Sequence, residues 1–199
     1  MPKPKIYYIR HGETAWNAEG RFQGSRDIPL NDLGHAQAAA AGSILGGLLA
    51  RDGCEAESLE FVASPLGRAR VTMELVRSTL ELPAQQYAID DRLREIGYGL
   101  WEGLTLPEMK LHDASSFASR DSDKWGVAAP SGESYASVTR RMREWCESLL
   151  TDTVAVAHGG TMRALMVALG VATPSEAVDI PIGQGVVYVF GDGGMKKYS

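Results

Sequence analysis

The chain has 199 residues, 44% hydrophobic and 23% charged, which is enough for one well-buried core and argues for a single domain over residues 1–199. A formal net charge of -5 argues against a nucleic-acid partner, so any phosphate ligand needs positive charge concentrated in a cleft, which suits a small phosphorylated metabolite. No apolar run approaches the roughly 20 residues of a membrane span and no signal-peptide pattern opens the chain, so a cytoplasmic protein without a membrane partner is expected.

The run Ile6-Tyr7-Tyr8-Ile9 reads as a strand that delivers Arg10-His11-Gly12-Glu13-Thr14 to its carboxyl end, where open α/β sheets place their chemistry. Residues 14–31, with Gly20, Gly24 and Pro29, read as a long loop that builds a rim. A helix is expected over about 32–49. Gly42, Gly46 and Gly47 each weaken it by roughly 1 kcal/mol relative to Ala, unless they permit close packing against the sheet. Residues 59–63 form the next expected strand, ended by Ser64-Pro65, and a helix follows over about 66–80. Arg68 falls in its first turn, where the helix dipole disfavours a cation. An anion drawn to the same helix end would explain it; the alternative is a solvated arginine paired with a surface carboxylate.

Residues 87–110 carry little periodicity, with Gly97, Gly99 and Gly103 among aromatic and charged residues, and read as a shaped loop. Residues 111–130, with Phe117 and Trp125, read as short helices or a cover over a site. From 131 to 150, Tyr135, Val138, Met142, Trp145, Cys146 and Leu149 recur near the helical spacing, with Ser131 as expected N-cap and Cys146 in the core. Cys54 and Cys146 are too few and too far apart for a zinc knuckle or CxxC pair, and no disulfide is expected. A strand over 153–157 leads into His158-Gly159-Gly160-Thr161 and a helix over about 161–169, stopped by Gly170 and then Pro174. Residues 186–190 supply an expected last strand. Strands alternating with helices predict an α/β fold, a three-layer α/β/α sandwich on a mixed, mostly parallel sheet.

Two strand-end histidines, each opening a glycine-softened turn, suggest one shared site. A neutral His11 is nucleophilic near neutral pH, and attack on phosphorus gives a phosphohistidine that water later cleaves. Arg10 and Arg68 suit the charge on the transferring oxygens, because the guanidinium fork makes paired, charge-assisted hydrogen bonds. His158 and the backbone N–H groups around Gly159 would stabilise the same oxygens. No HxH, HExxH or DxD grouping suggests a metal, so no cofactor is expected. The leaving alkoxide needs a proton donor, and Glu95, Glu13, Asp90, Asp91 and Glu102 all remain open by chemistry alone.

These residues resemble the histidine phosphatase superfamily, the phosphoglycerate-mutase-like proteins. The resemblance rests on Arg10-His11-Gly12-Glu13-Thr14-x-Trp16-Asn17, Phe22-Gln23-Gly24 with Asp27, Pro29-Leu30 and Gly34, and Ser64-Pro65-Leu66-x-Arg68-Ala69-x-x-Thr72. It continues through Leu93-x-Glu95-x-x-x-Gly99-x-Trp101-Glu102-Gly103 and His158-Gly159-Gly160-x-x-Arg163. The resemblance implies that His11 is phosphorylated and that Glu95 is the general acid and base. It implies a catalytic pocket of Arg10, Arg68 and His158, with further phosphate or substrate contacts at Asn17, Gln23, Gly24 and Gly159. Arg163 is expected to stabilise the last helix and Glu13 to be structural. The short segment after Gly103 looks like the phosphatase branch, implying a phosphomonoesterase for a small phosphorylated metabolite. A phosphoglycerate mutase and a noncatalytic phosphate-binding or regulatory protein are the alternatives. Substrate choice is expected to lie in 18–30 and 104–130, with Arg21, Arg26, Lys110, Arg120 and Lys124 as basic rim residues. Homodimerisation through an exposed terminal strand or an apolar helical face stays open.

Overall fold

The computed structural model describes residues 3–199, and among these a six-stranded sheet runs in the order β3-β2-β4-β1-β5-β6. The strands are β1 (Ile6–Arg10), β2 (Glu60–Ala63), β3 (Ala88–Ile89), β4 (Thr153–Ala157), β5 (Val187–Gly191) and β6 (Gly194–Tyr198). The first four are parallel; β5 runs antiparallel to β1, and β6 antiparallel to β5. The helices are α1 (Ala15–Ala18), α2 (Asp32–Asp52), α3 (Gly67–Thr79), α4 (Leu106–His112), α5 (Ala114–Ser122), α6 (Tyr135–Glu147), α7 (Gly159–Ala168) and α8 (Pro174–Ala177).

Alternation along the strands divides the core. Tyr7, Ile9, Val154 and Val156 pack with Leu45 of α2 and Met73 of α3, whereas Ile6, Tyr8, Ala155 and Ala157 pack with Met142 of α6 and Leu165 of α7. Both faces of β1 and β4 are therefore covered, which is why each reads as an unbroken apolar run. Each large side chain so buried contributes about 1.5–3 kcal/mol. The result is the three-layer α/β/α sandwich on a mixed, mostly parallel sheet.

Several local expectations are corrected. Residues 186–190 do not end the sheet, because a turn at Asp192 and Gly193, both with positive φ, returns the chain as β6. Helix α6 is capped by the Ser134 side chain, which accepts from the Ser137 N–H; Ser131 lies outside it with a φ of 59°. The 14–31 loop opens with α1, which a Thr14–Asn17 capping box closes. Pro174 starts α8 behind a Thr173 cap, as proline does at a first helical position. The 87–110 stretch contains β3 and the start of α4, which ends at His112, and α5 within 111–130 agrees with the short helices expected there. Gly42 does allow close packing, but against α3: a Cβ there would stand 2.7 Å from Thr79 Cβ. Cys146 is half-buried, and burial pushes its thiol up to about 12.

Strand register assembles one place on this frame. Arg10 pairs with Ala157, so the next residues, His11 and His158, emerge side by side, with the His11 N–H donating to the Ala157 carbonyl at 2.9 Å. Ala63 pairs with Val156, and Ser64 emerges on the other side of His158, its N–H on the Val156 carbonyl at 3.0 Å.

Candidate active site

The two imidazoles at the carboxyl ends of β1 and β4 have ring centroids 5.1 Å apart. His11 Nδ1 lies 2.7 Å from the Gly12 carbonyl oxygen. A carbonyl only accepts, so Nδ1 carries the proton and the lone pair is left on Nε2. Burial first, then the charges of Arg68 and Arg10, hold the His11 pKa well below its ordinary 6.5, so the ring is neutral at physiological pH. The turn that carries it is tight: a Cβ on Gly12 would strike the Gly34 carbonyl. His158 is fully buried beside His11, with Nε2 2.7 Å from Ser64 Oγ and Nδ1 lacking a partner among the described residues. Burial and Arg68 also lower its pKa well below 6.5.

Arg10 and Arg68 bring positive charge to the same cleft. Arg68 is 1% exposed, with Nη1 on the Arg26 carbonyl at 2.5 Å and Nη2 on the Gly24 carbonyl at 2.9 Å. Its nearest carboxylate, Asp27, is 3.9 Å away. Asp27 instead accepts the Gly67 N–H at 2.8 Å and so caps α3 from a distant loop. The helix end thus holds a carboxylate of the protein's own, and the Arg68 guanidinium is buried at the cleft rather than solvated at the surface. Arg10 Nη1 donates to the Ile182 carbonyl at 2.6 Å, and its buried Nε has no partner among the described residues. Burial lowers the pKa of both arginines, and Glu95 opposes that most. Two guanidinium groups held by neutral carbonyls are an electrostatic demand for an anion.

Glu95 lines this cleft together with Arg10, His11, Asn17, Gln23, Gly24, Arg68 and Gly159, around a volume of about 260 Å³. Its Oε1 accepts the Ile96 N–H at 2.9 Å and its Oε2 the Gly160 N–H at 3.2 Å. A lone pair remains on each oxygen. Gly160 has to be glycine, because a Cβ would collide with the Glu95 carboxylate. Of the N–H groups around Gly159, the one at Gly160 is taken by Glu95. The other carboxylates are placed elsewhere. Glu13 accepts from Asn31 Nδ2 at 2.9 Å, Asp90 binds Arg92, Asp91 faces Arg94, and Glu102 accepts the Ser25 N–H at 2.8 Å.

Asn17 Oδ1 accepts from the Thr14 backbone at 3.2 Å and from Gln184 Nε2 at 3.3 Å, leaving Nδ2 as a donor. Gln23 is buried, and its Oε1 has no partner among the described residues. Arg163 does more than hold α7. Its Nη2 binds the Ile180 carbonyl at 3.0 Å, which ties the helix down, but the side chain also lines the cleft.

Two supports escaped the sequence reading. The segment between α8 and β5 offers the Ile180 and Ile182 carbonyls to Arg163 and Arg10, and Gln184 Nε2 reaches the His11 carbonyl at 3.1 Å. Backbone acceptors leave no residue-type signal, and Gln184, between Gly183 and Gly185, reads from sequence as an ordinary turn residue. The second support is the Glu133–Arg141 pair at 3.2 Å. Arg141 Nη1 donates to the Arg92 carbonyl and Glu133 accepts the Gly97 N–H at 2.9 Å, clamping the turn that presents Glu95.

A family model described as "Histidine phosphatase superfamily (branch 1)" matches residues 6–195. A glucosyl-3-phosphoglycerate phosphatase from Mycolicibacterium vanbaalenii is 34% identical over 178 residues, covering 83% of this chain and 73% of that protein. A 2,3-bisphosphoglycerate-dependent phosphoglycerate mutase from Brucella canis is 31% identical over 197 residues, covering 93% of this chain and 90% of that one. The solved structure of a mycobacterial glucosyl-3-phosphoglycerate phosphatase with VO3 aligns with a TM-score of 0.77 at 29% identity, over 94% of this chain and 92% of the other. An α-ribazole phosphatase from Shigella flexneri, 23% identical, shares the fold with a TM-score of 0.80 over 96% of this chain and 93% of its own. The family match runs from the first residue of β1 into β6, across every element that shapes the cleft, and the chain therefore belongs to the histidine phosphatase superfamily, branch 1.

Proposed function

We propose that the protein is a phosphomonoesterase that hydrolyses a small phosphorylated metabolite through a phosphohistidine on residue 11. One observation carries the reading: a neutral imidazole with its lone pair on Nε2 shares a cleft with two buried guanidinium groups whose hydrogen bonds go to backbone carbonyls, the nearest paired carboxylate being Asp27 at 3.9 Å from Arg68.

In the first step the Nε2 lone pair attacks phosphorus and the bond from phosphorus to the ester oxygen breaks. Glu95, carrying a proton in the substrate complex, passes it to the departing oxygen, so the product leaves as a neutral alcohol. Arg10, Arg68, Asn17 Nδ2 and His158 Nδ1 meet the oxygens of the transferring group, where charge accumulates. The guanidinium groups supply the positive charge that phosphoryl transfer requires, so the scheme runs without a metal ion. In the second step water attacks phosphorus, its proton returns to Glu95, the phosphorus–nitrogen bond breaks, and His11 is neutral again.

The likeness to the Brucella canis protein supports a second reading, phosphoglycerate mutase. The short cap after Gly103 favours hydrolysis, because water then reaches the phosphohistidine. Incubation with phosphoglycerates separates the two. Phosphate release that keeps pace with or exceeds isomer exchange is expected, and exchange far in excess of release would support the mutase. A noncatalytic phosphate-binding role predicts that a His11→Ala variant and the parent are equally inert toward a generic aryl phosphate.

A further inference from the structure

Beside the phosphate site lies a second chamber of about 280 Å³. The two spaces share Phe22, Tyr98 and Arg163 as lining residues and so adjoin each other. Helices α4 and α5 supply much of the second chamber, which is mainly aromatic and aliphatic but contains one buried cation, Arg120.

Arg120 is 8% exposed, and its guanidinium lies over the rings of Tyr98 and Tyr135, 5.6 Å and 5.9 Å from their centroids. Nη1 donates to the Val127 carbonyl at 2.5 Å. No carboxylate pairs with it among the described residues, and the neighbouring Asp121 pairs with Lys124 instead, at 3.8 Å. A guanidinium desolvated by aromatic rings without a counter-ion is costly unless an anion arrives. A second observation concerns the same chamber: Trp101, 1% exposed, is one of its lining residues, and its buried indole N–H has no acceptor among the described residues.

We propose that the substrate's alcohol carries a carboxylate that docks on Arg120, with an apolar or planar body between it and the phosphate. This rests on the phosphatase reading and narrows its substrate class. One guanidinium balances one negative charge and matches a carboxylate edge with two parallel hydrogen bonds. Arg163 stands at the wall shared with the phosphate site and donates to the Ile180 carbonyl, and Lys124 is paired with Asp121, which leaves Arg120 as the buried guanidinium at the far side and a single negative charge as its match. The aromatic walls accept a flat or aliphatic linker, and the Trp101 N–H serves an oxygen on it.

The test compares kcat/KM for phenyl phosphate, 3-carboxyphenyl phosphate and 3-aminomethylphenyl phosphate. The parent protein is expected to favour the carboxylated ester over phenyl phosphate by about tenfold to a hundredfold, the scale of a hydrogen-bonded charge, and to disfavour the cationic one. In Arg120→Gln the ratio falls toward one, while Arg120→Lys retains part of it. Both proteins meet the same esters, so intrinsic reactivity cancels in the comparison. The preference of the parent should also shrink as salt is raised, a readout that needs no variant to fold. Equal turnover of all three esters by the parent overturns this inference alone. A preference that Arg120→Gln retains in full overturns the assignment to Arg120. Failure to hydrolyse any of them removes the phosphatase reading and this inference with it.

Discussion

His11 is useful because it is neutral, and its neutrality has a structural cause. Nδ1 is tied to the Gly12 carbonyl, while burial and two arginines oppose protonation of Nε2. His11→Ala is therefore expected to lower turnover by at least about 10³-fold, in the range seen when a nucleophile is removed, as measured with an aryl phosphate. For Glu95→Gln the loss should depend on the leaving group. Alkyl esters, which need the proton, should slow by about 10²–10⁴-fold, and esters of acidic phenols by much less. Uniform slowing would deny Glu95 the proton-transfer role. The same desolvation has a cost in acid. Both imidazoles have folded pKa values below the unfolded 6.5, so the unfolded chain binds protons first; stability is complete above about 6.5 and declines as pH falls below it toward the folded values. The Tm should drop between about pH 7 and pH 5, and drop less in His11→Asn. Equal drops would contradict a depressed His11 pKa.

At the scale of elements, what the sequence made legible was whatever side-chain pattern encodes. The doubly covered β1 and β4 could be read as unbroken apolar runs, and α6 from its apolar spacing, because both patterns are long enough to repeat. β3 has two residues, and α4 and α5 have seven and nine, too few turns to show a period. The supports of Arg10 and Arg163 were invisible for another reason: the Ile182 and Ile180 carbonyls that hold them are offered by any residue type. The glycines of α2 gave a composition signal whose sign needed coordinates. Gly42→Ala forces Cβ onto Thr79 and is expected to cost about 1–3 kcal/mol, whereas Gly47, with open space around it, should gain about 0.5–1 kcal/mol as Ala. Chemical denaturation of the two variants checks the opposite signs. Arg141→Gln loosens the turn carrying Glu95 without touching the phosphate pocket. It should lower kcat for alkyl esters by about tenfold to a hundredfold, the scale of a misplaced group, with KM held; an equal rise in KM would point to general disruption.

Across the whole molecule, a chain of net charge -5 concentrates buried cations at one end of its sheet. The parallel register of β1, β4 and β2 brings His11, His158 and Ser64 together, and the end of β1, the first turn of α3 and the segment after β3 supply Arg10, Arg68 and Glu95. Motifs in the sequence singled out His11, His158, Arg10, Arg68 and Glu95, which the fold brings around one place, whereas the aromatic chamber beside them was not legible, since Phe22, Tyr98, Phe117 and Tyr135 meet only in three dimensions. The most direct test is to quench the protein in alkali during turnover of a phosphate ester and locate the phosphoryl group by peptide mass spectrometry. The account predicts one acid-labile, alkali-stable phosphoryl group on His11, absent from His11→Ala and accumulating in Glu95→Gln with an aryl ester. Steady turnover with no phosphoryl group on His11, or with one on another residue, would contradict it.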